Sequence, residues 1–131
     1  MSEKFELIKS YLLDLELTVT QEDEAEELVV VTDEDAGIIN LVIDCEAPIV
    51  ILEQLIMDVP KVPGDLYRRL LQMNRTLVHG AFVLDDNGHV LFRDTLQLEN
   101  LDLNELEGSI RALSLGLAEH ANELLQFAHA A

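Results

Sequence analysis

The sequence predicts an α+β fold: an antiparallel sheet with helices packed mainly on one face, in the order helix, three strands, helix, two strands, helix. Three observations predict it. Apolar residues recur at helical spacing near both ends of the chain, and β-branched runs joined by short turn clusters fill residues 28–59. An Asp-Asp-Asn-Gly stretch at 85–88 separates the apolar runs GAFVL and HVLFRDTL. Strands joined by short turns pair antiparallel, and helices then gather on one side of the sheet.

The first helix is predicted over 3–16. Phe5, Ile8, Leu12 and Leu15 fall on one face, and Ser2 stands at the N-cap. QEDEAEE at 21–27 reads as an acidic connector without periodicity. LVVVTD at 28–33 is the first strand, and DEDAG at 33–37 turns the chain. IINLVIDC at 38–45 is the second strand, with apolar Ile39, Leu41, Ile43 and Cys45 on one side and mixed Ile38, Asn40, Val42 and Asp44 on the other. IVILEQLIMDV at 49–59 is the third strand, or in part a helix, because Glu53 and Gln54 interrupt the β pattern. PKVPG at 60–64 is the clearest break. Asp65 then caps a short helix with Leu66, Leu70 and Met73 on its buried face. Asn-Gly between alternating runs is a strong hairpin signal, so 85–88 reads as a turn. The last helix is predicted over about 102–127, with Asp102 and Glu105 at capping-box spacing and a stripe from Leu103 to Phe127. Gly108, Ala112 and Gly116 form a line of small residues, suited to close packing on the chain's own sheet or to a dimer seam.

The 131 residues fit one domain over 1–131, long enough to bury a core without disulfide or metal staples. Hydrophobic residues make up 49%, yet the net charge is −18. Eight Lys and Arg cannot neutralise a row of phosphates, and 26 carboxylates repel them, which argues against nucleic acid and against anionic membranes. A basic or amphipathic protein segment would be attracted, although the charge can equally serve solubility alone. Cys45 is the only cysteine, which suits a reducing compartment. The N-terminal sequence lacks a signal-peptide pattern and no stretch has the length of a membrane span, so a cytoplasmic location is expected.

The acidic clusters do not form a calcium loop. With Gly88 at the sixth position the first falls on Val83, which has no side-chain oxygen, and Phe92 and Arg93 lie inside the loop. His79, His89, His120 and His129 are scattered, with no zinc-ligand spacing to Cys45. His120 interrupts an apolar stripe and reads as a partly buried histidine with a satisfied polar tip. No nucleophile motif or phosphate loop occurs, so no catalytic, cofactor or metal residue is assigned. What remains is surface. Leu28 and Val30 point to one side of the first strand and Val29 and Val31 to the other. If helices cover one sheet face, Leu28, Val30, Ile38 and Val42 are candidates for an apolar partner surface. A helix or loop of the same chain could also cover it. Glu24, Glu26 and Glu27 are candidate acids for steering a partner.

LYRRLLQMNRTLVHGAFVLDDNGHVLFRDTL at 66–96, followed by LDLNELEGSIRALSLGLAEHANEL, resembles the YbjN-like and Tir-chaperone-like bacterial family, whose fold is that of type III secretion chaperones. The resemblance rests on the leucine-rich helix ending in Met73 and Asn74, on Gly80 and Phe82, on the Asp-Asn-Gly turn, and on the Phe92–Arg93 strand before a long closing helix. It implies a small, acidic, cytoplasmic, usually homodimeric protein without a cofactor. Such a protein binds an extended or partly helical client segment over its sheet and first helix. It also implies that the middle helix, with Leu66, Leu70 and Met73, builds a dimer interface. The expected function is therefore a non-enzymatic, chaperone-like protein-binding module. The alternatives are a regulatory or assembly homodimer without a client, or a small-ligand sensor or enzyme.

Overall fold

The computed structural model describes residues 2–129. Helix α1 (Glu3–Asp14) begins at Ser2, whose hydroxyl accepts the Phe5 N–H at 3.1 Å and so satisfies one orphan donor of the first turn. Strands β1 (Thr18–Asp23), β2 (Leu28–Asp33), β3 (Ile38–Glu46) and β4 (Ile49–Asp58) follow. Then come α2 (Leu66–Asn74), β5 (Ala81–Leu84), β6 (His89–Gln97) and α3 (Leu103–His129). The six strands form one sheet in the order β1-β2-β3-β4-β6-β5, and every neighbouring pair is antiparallel. The α+β class predicted from sequence is the class observed.

One strand is added to the predicted order: four precede α2, not three. Strand β1 occupies residues that the sequence reading assigns partly to an acidic connector. All six of its residues are exposed, and a register shift between Val19 and Gln21 breaks its pairing with β2. An edge strand with no buried face leaves no alternation to detect. β4 is a strand throughout its Glu-Gln interruption. Glu53 pairs with Arg93 on the adjoining strand at 3.0 Å, and Gln54 is buried.

The hairpin confirms the turn at 85–88. The Asp85 N–H donates to the His89 carbonyl at 3.1 Å, leaving Asp86, Asn87 and Gly88 as the loop. Gly88 alone among them takes a left-handed conformation, φ 81°. Asp85 Oδ1 accepts the N–H groups of Asn87 and His89, each at 2.9 Å, so this carboxylate is committed to the turn. At α3, Asp102 Oδ1 accepts the Glu105 N–H at 2.8 Å, the capping contact its spacing predicts.

All three helices pack on one face of the sheet. Phe5, Ile8 and Leu12 of α1 and Leu106, Ile110 and Leu113 of α3 meet Val29, Val31, Leu41, Ile43, Val50, Leu52 and Phe92 in one core cluster. Leu66, Leu70 and Met73 of α2 join Leu124 of α3 over Met57, Phe82 and Val90 in a second. The small-residue line of α3 packs within the chain, though against the α2–β5 connection rather than the sheet. A Cβ on Gly116 would sit 2.6 Å from Leu77, and one on Gly108 3.5 Å from the His79 ring.

Candidate functional site

Because strand side chains alternate, the residues between the core positions point away from the helices. Leu28, Val30, Val42, Asp44, Ile49, Ile51, Glu53 and Arg93 occupy this open face. The ladder sets Val30 opposite Val42, and it sets Asp44 between Leu28 and Ile51. Val30 is 9% exposed, and Leu28, Val42, Ile49 and Ile51 are partly buried by one another and by their neighbours. Among the sequence candidates, Leu28, Val30 and Val42 share this face. Ile49 and Ile51 were not among them; their signal was the pairing of an apolar strand with β3, visible once the register is known.

Ile38 does not belong to the face. It is 2% exposed and lies in the main core. Between Val31↔Leu41 and Asp33↔Ile38, β3 advances one residue more than β2, and Asn40 takes φ 53°. This bulge reverses the alternation, so Ile38 turns inward and Ile39 is 53% exposed. Gln54 holds the irregular segment: its Oε1 accepts the Ile39 N–H and its Nε2 donates to the Gly37 carbonyl, both at 3.1 Å.

Leu66, Leu70 and Met73 are likewise not available at the surface. Their exposures are 0, 4 and 1% because α2 uses its one strong apolar face to close the second core cluster. Tyr67 and Leu71, 43 and 73% exposed, are the large apolar residues that α2 leaves uncovered.

Glu24 and Glu26 are exposed in the β1–β2 turn. Glu27 is engaged: its Oε1 accepts the Ser2 N–H at 2.6 Å, and this hydrogen bond holds its carboxyl below the ordinary glutamate range. Asp44 is the opposite case. Partial burial lifts its carboxyl above the usual aspartate value, with Glu46 and Glu26 adding to the shift. Its Oδ1 is buried without a hydrogen-bond partner among the described residues.

Other polar groups serve the fold. His120 is 8% exposed with Nε2 2.9 Å from Thr76 Oγ1, the satisfied polar tip expected of it. His89 Nδ1 lies 2.8 Å from Asp85 Oδ2, which raises the imidazole pKa, and Asp58 adds to it. Burial, with Glu27, Asp44 and Glu46 nearby, pushes the Cys45 thiol up to about 11, so it stays protonated. Among the described residues no three His, Cys, Asp or Glu side chains are grouped to hold a metal ion. No described helix is long and apolar enough to cross a membrane.

A six-stranded antiparallel sheet with a first helix, a short middle helix and a long closing helix on one face is the architecture of the secretion-chaperone class. The chain belongs to the CesT_Tir_1 family, whose model matches residues 1–130. Among solved structures it is similar to YbjN of E. coli, at 16% identity and TM-score 0.68 over 90% of this chain and 91% of that one. It is also similar to a chain of the ExsC–ExsE complex, at 17% identity and TM-score 0.64, covering both chains fully, 100% of each. A third likeness is to a chain of the HopA1–SchA chaperone–effector complex, at 16% identity and TM-score 0.61 over 95% of this chain and 92% of that one. At these identities the likeness is one of fold. No curated protein matches the sequence.

Proposed function

We propose that the chain is a non-enzymatic, chaperone-like protein-binding module that holds a segment of a client protein on its open sheet face. The observation that carries this reading is that all three helices share one face. Strand alternation turns Leu28, Val30, Val42, Ile49 and Ile51 to the other face, where Val30 is 9% exposed and the other four are half-buried. Apolar client side chains would cover that strip. Asp44, with an unpartnered oxygen beside Glu46, would receive a client Lys or Arg. Glu24 and Glu26 at the rim would raise the encounter rate of a basic segment. Family membership supports the reading, and so do the complexes in which relatives of this fold are found with HopA1 and ExsE.

In this reading the protein works in the cytoplasm as a homodimer without a cofactor, and binds neither nucleic acid nor membrane. Tyr67 and Leu71 of α2 carry the dimer contact in place of the buried Leu66, Leu70 and Met73. The test is a photo-crosslinking residue placed at Ile51 in host cells, with Asn122 as an exposed control. Protein adducts from Ile51 and none from Asn122 are expected. Adducts from neither position would refute the open-face reading.

A further inference from the structure

Asn87 stands in the β5–β6 turn, and the fold makes no use of its side-chain amide. The chain has six asparagines, Asn40, Asn74, Asn87, Asn100, Asn104 and Asn122, and only Asn87 is followed by glycine. The others precede Leu41, Arg75, Leu101, Glu105 and Glu123. Asn40, Asn100, Asn104 and Asn122 are exposed like Asn87, so exposure alone does not single it out.

The nitrogen that follows an asparagine decides what the side chain can do. The amide carbon lies one five-membered ring closure from that nitrogen, which makes it an intramolecular nucleophile. The Arg75 and Leu101 N–H groups donate to the Gln72 and Leu98 carbonyls, each at 3.2 Å. The Glu105 N–H donates to Asp102 Oδ1 at 2.8 Å. Leu41 lies in the β2–β3 ladder, and Glu123 lies inside α3. The Gly88 N–H, by contrast, is held by no hydrogen bond of the described residues. Gly88 is exposed, and a Cβ built on it would meet nothing within 4 Å. The Asn87 side chain has no hydrogen-bond partner among the described residues, so nothing holds it away from that nitrogen.

We propose that Asn87 is a site of spontaneous covalent modification, which converts it to isoaspartate and aspartate. The Gly88 nitrogen attacks Asn87 Cγ and forms the new C–N bond of a succinimide. Its proton passes through water to the side-chain amide nitrogen, which leaves as ammonia as its bond to Cγ breaks. Water then opens the ring. Attack at Cγ gives aspartate. Attack at the backbone carbonyl carbon gives isoaspartate, whose main chain runs through Cβ and Cγ. No electrons are transferred, and water is the only other reactant.

The turn registers the two products differently. Aspartate adds one negative charge next to Asp85 and Asp86 and keeps the backbone. Isoaspartate adds the same charge and lengthens the main chain by one carbon within the loop of Asp86, Asn87 and Gly88. The ends of that loop are fixed, because the Asp85 N–H donates to the His89 carbonyl at 3.1 Å. The Gly88 carbonyl accepts the Val59 N–H at 2.8 Å and so ties the hairpin tip to the end of β4. The extra carbon displaces this carbonyl, and the tie is lost.

The test incubates the folded protein in mildly alkaline buffer and follows each asparagine by peptide mapping and mass spectrometry. A synthetic peptide of residues 81–94 serves as the unstructured reference. An isoaspartyl methyltransferase with a labelled methyl donor reports isoaspartate, and no aspartate of this chain precedes a glycine to give a competing signal. Asn87 converts about tenfold or more faster than any other asparagine, because glycine has no Cβ to obstruct its nitrogen. Asn87→Gln, which must close a larger ring, abolishes the methylation. Hydrogen exchange at the Val59 N–H is faster in the isoaspartyl form and unchanged in Asn87→Asp.

An Asn87 that stays intact while the reference peptide converts would mean that the turn protects it, and would overturn the proposal. Equal or faster conversion at another asparagine overturns it as well, and so does methylation that persists in Asn87→Gln. Unchanged Val59 exchange in the isoaspartyl form overturns the loss of the tie. The open-face reading is independent of every one of these outcomes and stands or falls on crosslinking from Ile51.

Discussion

Asn74 caps Phe82 on the free edge of β5, pairing its side-chain amide with both backbone groups of that residue. The Phe82 N–H donates to Asn74 Oδ1 at 2.7 Å, and Asn74 Nδ2 donates to the Phe82 carbonyl at 3.2 Å. One amide at the end of α2 thus takes the place of a further strand at this one residue. The middle helix both seals the second core cluster and plugs a sheet edge that could otherwise pair with another chain.

Asn74→Ala removes both bonds beside a residue that is 4% exposed. Urea unfolding should show a loss of about 2 kcal/mol, from two backbone groups left poorly satisfied. Light scattering should show greater self-association through the freed edge. Asn74→Asp keeps the acceptor but sets a carboxylate against the Phe82 carbonyl, so it should also destabilise. Unchanged stability in both variants would mean that the edge has no need of the plug.

The hairpin should carry a pH dependence of known sign. The Asp85 carboxylate raises the His89 pKa above 6.5, so this pair stabilises the fold fully below about pH 6.5, and the contribution is lost as pH rises through the folded value. Asp85 is held low, chiefly by the His89 N–H, and its contribution is lost only as strongly acid pH falls through its own lowered value. NMR titration should show His89 titrating above its ordinary value in the native protein and returning toward it in Asp85→Asn. A His89 titration that ignores this substitution would contradict the assignment.

Charge reversal at Glu24 and Glu26 should slow association with a basic partner, with the difference shrinking as salt is added. Glu27 is left out because reversing it would also release the Ser2 N–H and loosen the start of α1. Stopped-flow association rates at two ionic strengths decide the point, and an on-rate equal to wild type at low salt would remove these acids from the mechanism.

Two adjacent leucines of α2 should behave in opposite ways. Leu70→Glu buries a charge in the second core cluster and should unfold the chain or cost several kcal/mol. Leu71→Glu changes a residue that is 73% exposed and should give a folded monomer. Sedimentation velocity with thermal unfolding separates the outcomes. A dimer that survives Leu71→Glu would move the contact away from α2.

What was legible in the sequence was chemistry settled within a few residues. Ser2, Asp102 and the Asp85–Gly88 turn bond to backbone three or four positions away, so their residue types announce them. The apolar faces of α1, α2 and α3 were legible too, since period and burial coincide. What a helix face packs against was not: Leu66, Leu70 and Met73 advertise burial, and whether their cover is this chain or another depends on the sheet register. β1 gave no pattern because nothing covers it. Ile38 was misplaced by a single left-handed residue, Asn40, whose bulge inverts the count beyond it. The open face was half legible for the same reason: Leu28, Val30 and Val42 follow from alternation, whereas their contact with Ile51 through Asp44 follows only from pairing across three strands.

The most direct measurement is comparative capture from host cells, with the tagged wild-type chain beside Val42→Asp and a free-tag control. If the open face holds a client, the wild type retains a protein in stoichiometric amount, carrying an apolar and basic segment, and folded Val42→Asp loses it. A wild type that comes out as a clean homodimer, or that retains the same proteins as Val42→Asp, would contradict binding on that face.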